Sequence, residues 1–144
     1  MKVVICVDVT ESGLLQLKAL QNKDAVISGN DLYFVHCFET KIYAAEFYAN
    51  YYPTEDQFPV IEKSIVEIMQ NNTKSLKQKA ASINYACLFS TNPKEAILDY
   101  IKEGQAELAL VATRGLTGIK GALTSSFADY MTRHSPCDVY ILRS

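Results

Sequence analysis

The sequence predicts an α/β fold in which helices cover both faces of an open, doubly wound parallel sheet. Short segments rich in β-branched and apolar residues alternate with stretches of helical period, which is the pattern of repeated strand-helix-strand units. Three of these segments are nearly all apolar, as strands buried on both faces require. The length of 144 residues suits a single domain spanning residues 1–144, with a core that needs neither disulfides nor a metal.

Five strands are predicted to alternate with four helices. The first helix has Leu14, Leu17 and Leu20 on its apolar face. Its N-cap is Thr10 or Ser12, because a hydroxyl at that position accepts a hydrogen bond from a free amide of the first turn. The predicted strands are Val3 to Val7, Asp31 to Phe38, Ile83 to Leu88, Leu108 to Ala112 and Asp138 to Leu142.

Apolar spacing and prolines place the other three helices. Asn92 and Pro93 open the third helix as its cap and first turn. The fourth runs from about Ala122 to Arg133 and ends before Pro136, which cannot continue a helix. The second helix is longer and follows Pro59, and its predicted apolar stripe comprises Ile61, Ile65, Ile68, Met69, Leu76 and Ala80.

Right-handed crossovers between these elements give a sheet of the flavodoxin-like type, in which ligands bind outside the carboxyl ends of the strands. The stretch from Lys41 to Phe58 is irregular and rich in aromatic residues. Aromatic packing over the core is the simpler interpretation of this stretch, and a lid or an interface is the alternative.

Composition narrows the range of partners. The chain has 14 basic and 16 acidic residues, a net charge of −2, with the signs mixed along its length. This pattern argues against nucleic acid and membrane surfaces and favours a small molecule or a protein. The first apolar segment spans only about six or seven residues, too short for a signal peptide or a membrane span, so we expect a cytoplasmic protein. The cysteines, expected to be reduced core residues, are Cys6, Cys37, Cys87 and Cys137.

The segment from Val111 to Phe127, VATRGLTGIKGALTSSF, carries the most functional information. It leaves the fourth strand, passes through glycines, and is predicted to enter a helix at Ser125-Ser126, where amides and hydroxyls can converge on an anion. It matches neither GxxxxGK followed by Ser or Thr nor GxGxxG, so an ordinary glycine-rich turn is the alternative. Arg114 suits a phosphate there or is simply a solvated turn residue.

Asp8 directly follows the first strand. Because the first and fourth strands are neighbours in a doubly wound sheet, Asp8 is predicted to lie beside the start of the glycine-rich segment. Its carboxylate can accept from a ribose or a base amine, or can cap the next helix with Thr10 and Ser12. We interpret His36 as a hydrogen-bonded core residue and His134 as a charge at a helix end. The sequence offers no recognisable catalytic triad, Cys/His pair or metal-ligand cluster.

Five stretches of the chain are recognisable together: VICVDVTES, FVHC, NPKEAIL, LVATRGLTGIKGALTSS and RHSPCDVYILR. Through them the chain resembles the universal stress protein family over nearly its whole length. The resemblance implies a flavodoxin-like fold, also described as adenine nucleotide alpha hydrolase-like, with homodimers. In many members it also implies ATP or AMP held by a Gly-x2-Gly-x9-Gly-Ser/Thr loop, with residues matching Val7, Asp8 and Cys37 bordering adenine and ribose, and Val111 lying under the base.

This chain departs from the loop motif at two positions. It reads Ala112-x2-Gly115-x9-Ser125-Ser126, so Ala112 and Ser125 replace glycines that let phosphate oxygens approach the backbone. Ser-Ser also occurs in the family branch without nucleotide, whereas the intact TRGLTG segment resembles the binding branch. The predicted cofactor-binding residues are Val7, Asp8, Cys37, Val111, Ala112, Arg114, Gly115, Ser125, Ser126 and Phe127.

The sequence thus predicts a non-catalytic stress-response protein that binds ATP or AMP, with or without Mg²⁺, and passes that state to protein partners. We expect a homodimer through Asp138 to Arg143, an apolar edge strand without internal charge. The alternative is a nucleotide-free dimeric interaction module with a degenerate loop. Slow ATP hydrolysis is the third and least favoured hypothesis. It ranks last because no placed general base or Walker-type lysine accompanies the loop.

Overall fold

The structure, a computed structural model of the chain, describes residues 1–40, 54–113 and 119–143, without the side chains of residues 113 and 119–125. The strands are β1 (Lys2–Cys6), β2 (Asp31–Glu39), β3 (Ser82–Ser90), β4 (Leu108–Thr113) and β5 (Asp138–Arg143). The helices are α1 (Glu11–Ala19), α2 (Asp24–Ile27), α3 (Phe58–Asn72), α4 (Pro93–Glu103) and α5 (Ile119–His134).

All five strands run parallel in one sheet with the order β3-β2-β1-β4-β5. This is the doubly wound α/β fold predicted from the sequence, and each predicted strand is present with its ends displaced by no more than two residues. The short α2 and three 3-10 helices were not predicted. No helix within the described ranges is long and apolar enough to cross a membrane.

Alternate residues of the central strands separate into two apolar cores. Val3 and Phe34 pack in the core under α1 and α3, whereas Val4 and Val35 pack in the core under α4 and α5. All four side chains are 0% exposed. Because helices bury both faces of the sheet, the last residues of β1, β2 and β4 lie together at its carboxyl edge.

Side-chain hydrogen bonds fix the turn from β1 to α1. Thr10, one of the two predicted caps, accepts a hydrogen bond from the Gly13 amide through its hydroxyl at 3.3 Å. Asp8 in turn accepts from the amide of Thr10 at 3.1 Å and from its hydroxyl at 3.0 Å. The carboxylate of Asp8 therefore orders Thr10, the residue that caps α1, and contributes to the cap through that residue.

The second predicted helix is shorter than expected, because α3 ends at Asn72 and a 3-10 helix, Lys74–Gln78, follows it. Thr73 directly follows the last residue of α3 and is completely buried. Its hydroxyl donates to the Met69 carbonyl at 2.8 Å and lies 2.6 Å from the Tyr85 hydroxyl. A threonine bonded back to the preceding turn competes with continuation of the helix.

Two side chains of the predicted stripe differ in their environment. Ile68 is 36% exposed, so its assignment to the buried face of α3 was wrong. Leu76 is buried as predicted, but it reaches the core from the 3-10 helix. Of the aromatic-rich stretch, residues 41–53 lie outside the described part, while Phe58 stacks on Phe89 with ring centres 4.2 Å apart.

Candidate functional site

The sheet changes its direction of winding at β1, which pairs with β2 on one side and β4 on the other. At such a switch point the crossovers leave toward opposite sides and open a crevice at the carboxyl edge. Asp8, just after β1, and Ala112, near the end of β4, both line this crevice. This placement agrees with the expectation from the sequence that Asp8 lies close to the end of β4, because β1 and β4 are neighbouring strands.

A cleft of about 220 Å³ opens at this edge. Its volume is somewhat below the roughly 300–1,000 Å³ of typical ligand sites. The predicted residues Arg114 and Gly115, which follow β4, lie outside the described part of the chain. The described lining consists of Cys6, Val7, Asp8, Gln16, His36, Cys37, Pro93, Ile97, Val111, Ala112 and Phe127. Six of the predicted site residues are among them, namely Val7, Asp8, Cys37, Val111, Ala112 and Phe127.

The two serines of the predicted phosphate loop lie inside a helix. Because α5 begins at Ile119, Ser125 and Ser126 fall in its second turn, and the prediction that they open the helix was wrong. Only the first four amides of a helix lack an intrahelical partner. Ser126 can therefore offer a ligand its hydroxyl, which accepts a hydrogen bond from Lys94 Nζ at 2.6 Å. The side chain of Ser125 lies outside the described part.

His36 and Gln16 are cleft residues that the sequence analysis did not assign to the site. His36 Nδ1 lies 2.8 Å from the Val7 carbonyl oxygen. Because a carbonyl can only accept, Nδ1 carries the proton. The hydrogen bond of His36 was predicted, but its placement in the core was wrong, since the residue is half-buried and lines the cleft. Gln16 is 5% exposed, and the spacing of Gly13, Gln16 and Leu17 on one face of α1 was the signal that could have found it.

The two thiols of the cleft are neutral at physiological pH. Burial, with a smaller contribution from Cys137, raises the pKa of Cys6 to about 12. Burial and, to a lesser extent, Glu39 raise the pKa of Cys37 to about 11. Asp8 is thus the single carboxylate among the described residues of a mostly apolar lining. Such a cleft suits a flat heterocycle carrying hydroxyl groups.

Metal ligands are not grouped within the described ranges. No set of three or more His, Cys, Asp or Glu side chains there could hold a metal ion.

The fold and the cleft define a flavodoxin-like α/β protein with a crevice for a small ligand at its switch point. A model of the Universal stress protein family matches residues 1–143. The chain therefore belongs to the universal stress protein family, and the resemblance stated from its sequence is confirmed. A search of curated proteins gave no significant match.

Solved structures that share the fold include three adenine nucleotide complexes. A universal stress protein in complex with cAMP is 21% identical, with a TM-score of 0.65 over 99% of this chain and 96% of that chain. A universal stress protein family protein from Arabidopsis thaliana with AMP bound is 14% identical, with a TM-score of 0.65 over 99% and 91% of the chains. One from Archaeoglobus fulgidus in complex with dAMP is 16% identical, with a TM-score of 0.62 over 99% and 97%.

Proposed function

We propose that this chain binds an adenine nucleotide, ATP or AMP, in the switch-point cleft and acts without catalysis as a cytoplasmic homodimer in the stress response. One observation carries the proposal: three separate stretches of the sequence line one cleft, with Val7 and Asp8 from the first, Cys37 from the second, and Val111 and Ala112 from the third. Membership of the family supports it. The complexes of similar proteins with cAMP, AMP and dAMP point to the same class of ligand.

Apolar walls and one backbone carbonyl would receive the base. Val7 and Val111 are 7% and 1% exposed and present stiff β-branched side chains. The Val7 amide donates to the Val35 carbonyl at 2.8 Å, so the backbone group that Val7 retains for a ligand is its carbonyl. A carbonyl oxygen has two lone pairs and can accept from the exocyclic amine of adenine as well as from His36.

The carboxylate of Asp8 would receive the sugar. Each carboxylate oxygen can accept two hydrogen bonds, so a carboxylate that orders the cap of α1 can also accept from ribose hydroxyls. The bonds from Thr10 hold this side chain in one orientation. Preorganisation of this kind reduces the entropy lost on binding.

The absence of catalysis and the role of Mg²⁺ belong to the proposal as well. The sequence has neither GxxxxGK followed by Ser or Thr nor GxGxxG. Without the first of these patterns it lacks the Walker lysine that accompanies fast phosphoryl transfer. Mg²⁺ would enter with a triphosphate, since it is bound mainly through phosphate oxygens and water in such sites. Binding without turnover is the simplest use of this cleft.

The proposed dimer uses the free edge of β5. This strand is the last in the sheet order, and Ile141 on it is 37% exposed. A two-fold axis would pair two copies of β5 antiparallel and satisfy the open row of backbone groups.

Nucleotide extraction and calorimetry test the proposal. Acid extraction of the purified protein is expected to release adenine nucleotide, and the emptied protein is expected to bind adenosine and AMP. Asp8→Asn keeps an acceptor for Thr10 but removes the charge, and loss of a charge-assisted hydrogen bond predicts about 10-fold weaker adenosine binding. Asp99→Asn, an exposed residue of α4, is the matched control and is expected to bind as the parent does.

A nucleotide-free interaction module is the second candidate. Ala112 and Ser125, in place of the motif's glycines, favour it because a Cβ at these positions narrows the approach of phosphate to the backbone. If extraction releases no nucleotide and millimolar adenosine and AMP give no heat of binding, this second candidate replaces the first.

A further inference from the structure

Lys94 is a half-buried cation beside the cleft. It occupies the first turn of α4, directly after Pro93, which lines the cleft. Its Nζ donates to Ser126 Oγ at 2.6 Å and lies 5.8 Å from the centre of the Tyr130 ring. Phe127, the neighbour of Ser126, lines the cleft too. Lys94 and Ser126 therefore join α4 to α5 where both helices border the cleft.

This position is unfavourable for an ammonium group that has no anion. The first turn of a helix carries the positive end of the helix dipole, which repels a cation. Partial burial also removes some of the water that would solvate the charge. Among the described residues the ion pairs are Lys79 with Asp24 and Arg133 with Asp129, and Lys94 takes part in neither. Its described partners are a neutral hydroxyl and the face of a ring.

We propose that Lys94 is a specificity-determining residue that binds the phosphate of the ligand together with the Ser126 hydroxyl, an inference that rests on the proposed function. Because Ser126 Oγ accepts from Lys94, its own proton is available for a phosphate oxygen. An ammonium and a hydroxyl then contact the phosphate through side chains, while the Cβ of Ala112 narrows its approach to the backbone. Asp8 would select the sugar and Lys94 the phosphate, so the cleft prefers a nucleotide to its nucleoside.

Calorimetric titration of emptied protein with adenosine and with AMP tests this role. Lys94→Gln is expected to weaken AMP binding roughly 10- to 100-fold, the usual effect of losing a hydrogen bond to a charged group. Its affinity for adenosine is expected to stay within about twofold of the parent. Lys102→Gln removes the same charge from the exposed last turn of α4 and is expected to bind both ligands as the parent does. Lys94→Arg keeps the charge and is expected to retain most of the AMP affinity.

Salt provides a second readout. The AMP affinity of the parent is expected to fall with ionic strength more steeply than that of Lys94→Gln, because an ion pair is screened by salt. Thermal unfolding of each variant verifies that it is folded.

The outcomes separate the two proposals. Equal AMP affinity in the parent and Lys94→Gln would overturn the role of Lys94 and leave nucleotide binding in place. An equal loss of affinity for adenosine and AMP in Lys94→Gln would show that Lys94 acts through packing, and would overturn its role in phosphate binding as well. If the parent binds neither adenosine nor AMP, both proposals fall.

Discussion

Gly13 can be replaced by no larger residue without moving the turn that holds Asp8. A Cβ at position 13 would overlap the backbone carbonyl oxygen of Asp8 and lie 2.8 Å from its carbonyl carbon. Overpacking costs about 1–3 kcal/mol, and the upper end applies because the obstacle is backbone. Alanine regains about 1 kcal/mol of helix propensity. Gly13→Ala is therefore expected to lose about 2 kcal/mol of stability, or roughly 4–8 °C in Tm.

Urea denaturation of the parent and Gly13→Ala measures this loss directly. Gly29→Ala is the matched control: Gly29 has φ +72° and open space around the new methyl, so the left-handed conformation costs it about 1–2 kcal/mol. The variants should then differ in binding, because only Gly13→Ala displaces the Asp8 turn and weakens adenosine binding. A Gly13→Ala protein as stable as the parent would refute the close packing of α1 on this turn.

Two further predictions concern the cysteines and the sheet edge. Burial, the largest cause in each case, raises the pKa of Cys6 to about 12 and of Cys37 and Cys87 to about 11. At pH 8 these thiols are therefore protonated, and a thiol reagent should label them slowly in the native protein and rapidly in urea. Rapid labelling of all three in the native protein would contradict their burial. Ile141→Lys places a charge on the open edge of β5. It is expected to halve the mass measured by light scattering without changing the circular dichroism spectrum. A parent protein that is monomeric at micromolar concentration would exclude this interface.

Local chemistry made most of the elements predictable. Asn92 accepts from the Glu95 amide at 3.4 Å, and Pro93 occupies the first turn of α4, as the sequence predicted. The end of α3 was harder to predict, because the Thr73 hydroxyl beside it bonds to the Met69 carbonyl and also contacts the hydroxyl of Tyr85 on β3. A stop that depends on a tertiary partner leaves no local signal.

The same distinction applies to the site. Asp8 could be assigned from the rule that the carboxyl ends of neighbouring parallel strands meet. Val7 and Val111 were assigned through the resemblance to the universal stress protein family. Lys94 could not, because its significance depends on the approach of α4 to α5 and so on a contact across 32 residues. The position of Ser126 in the second turn of α5 likewise depends on where the helix begins, which sequence patterns locate only within a few residues.

One strand, β4, lines the cleft and also pairs with the edge strand β5. Its residues Val111 and Ala112 line the cleft and are paired with Ile141 and Leu142 of β5. If the ligand and a second copy of the chain both bind more tightly to the same position of β4, the two binding equilibria share a coupling free energy. Thermodynamic reciprocity then requires that occupancy strengthens dimerisation by the same factor by which dimerisation strengthens occupancy. Titrations above and below the dimer dissociation constant would measure that factor, and equal affinities would set it to one.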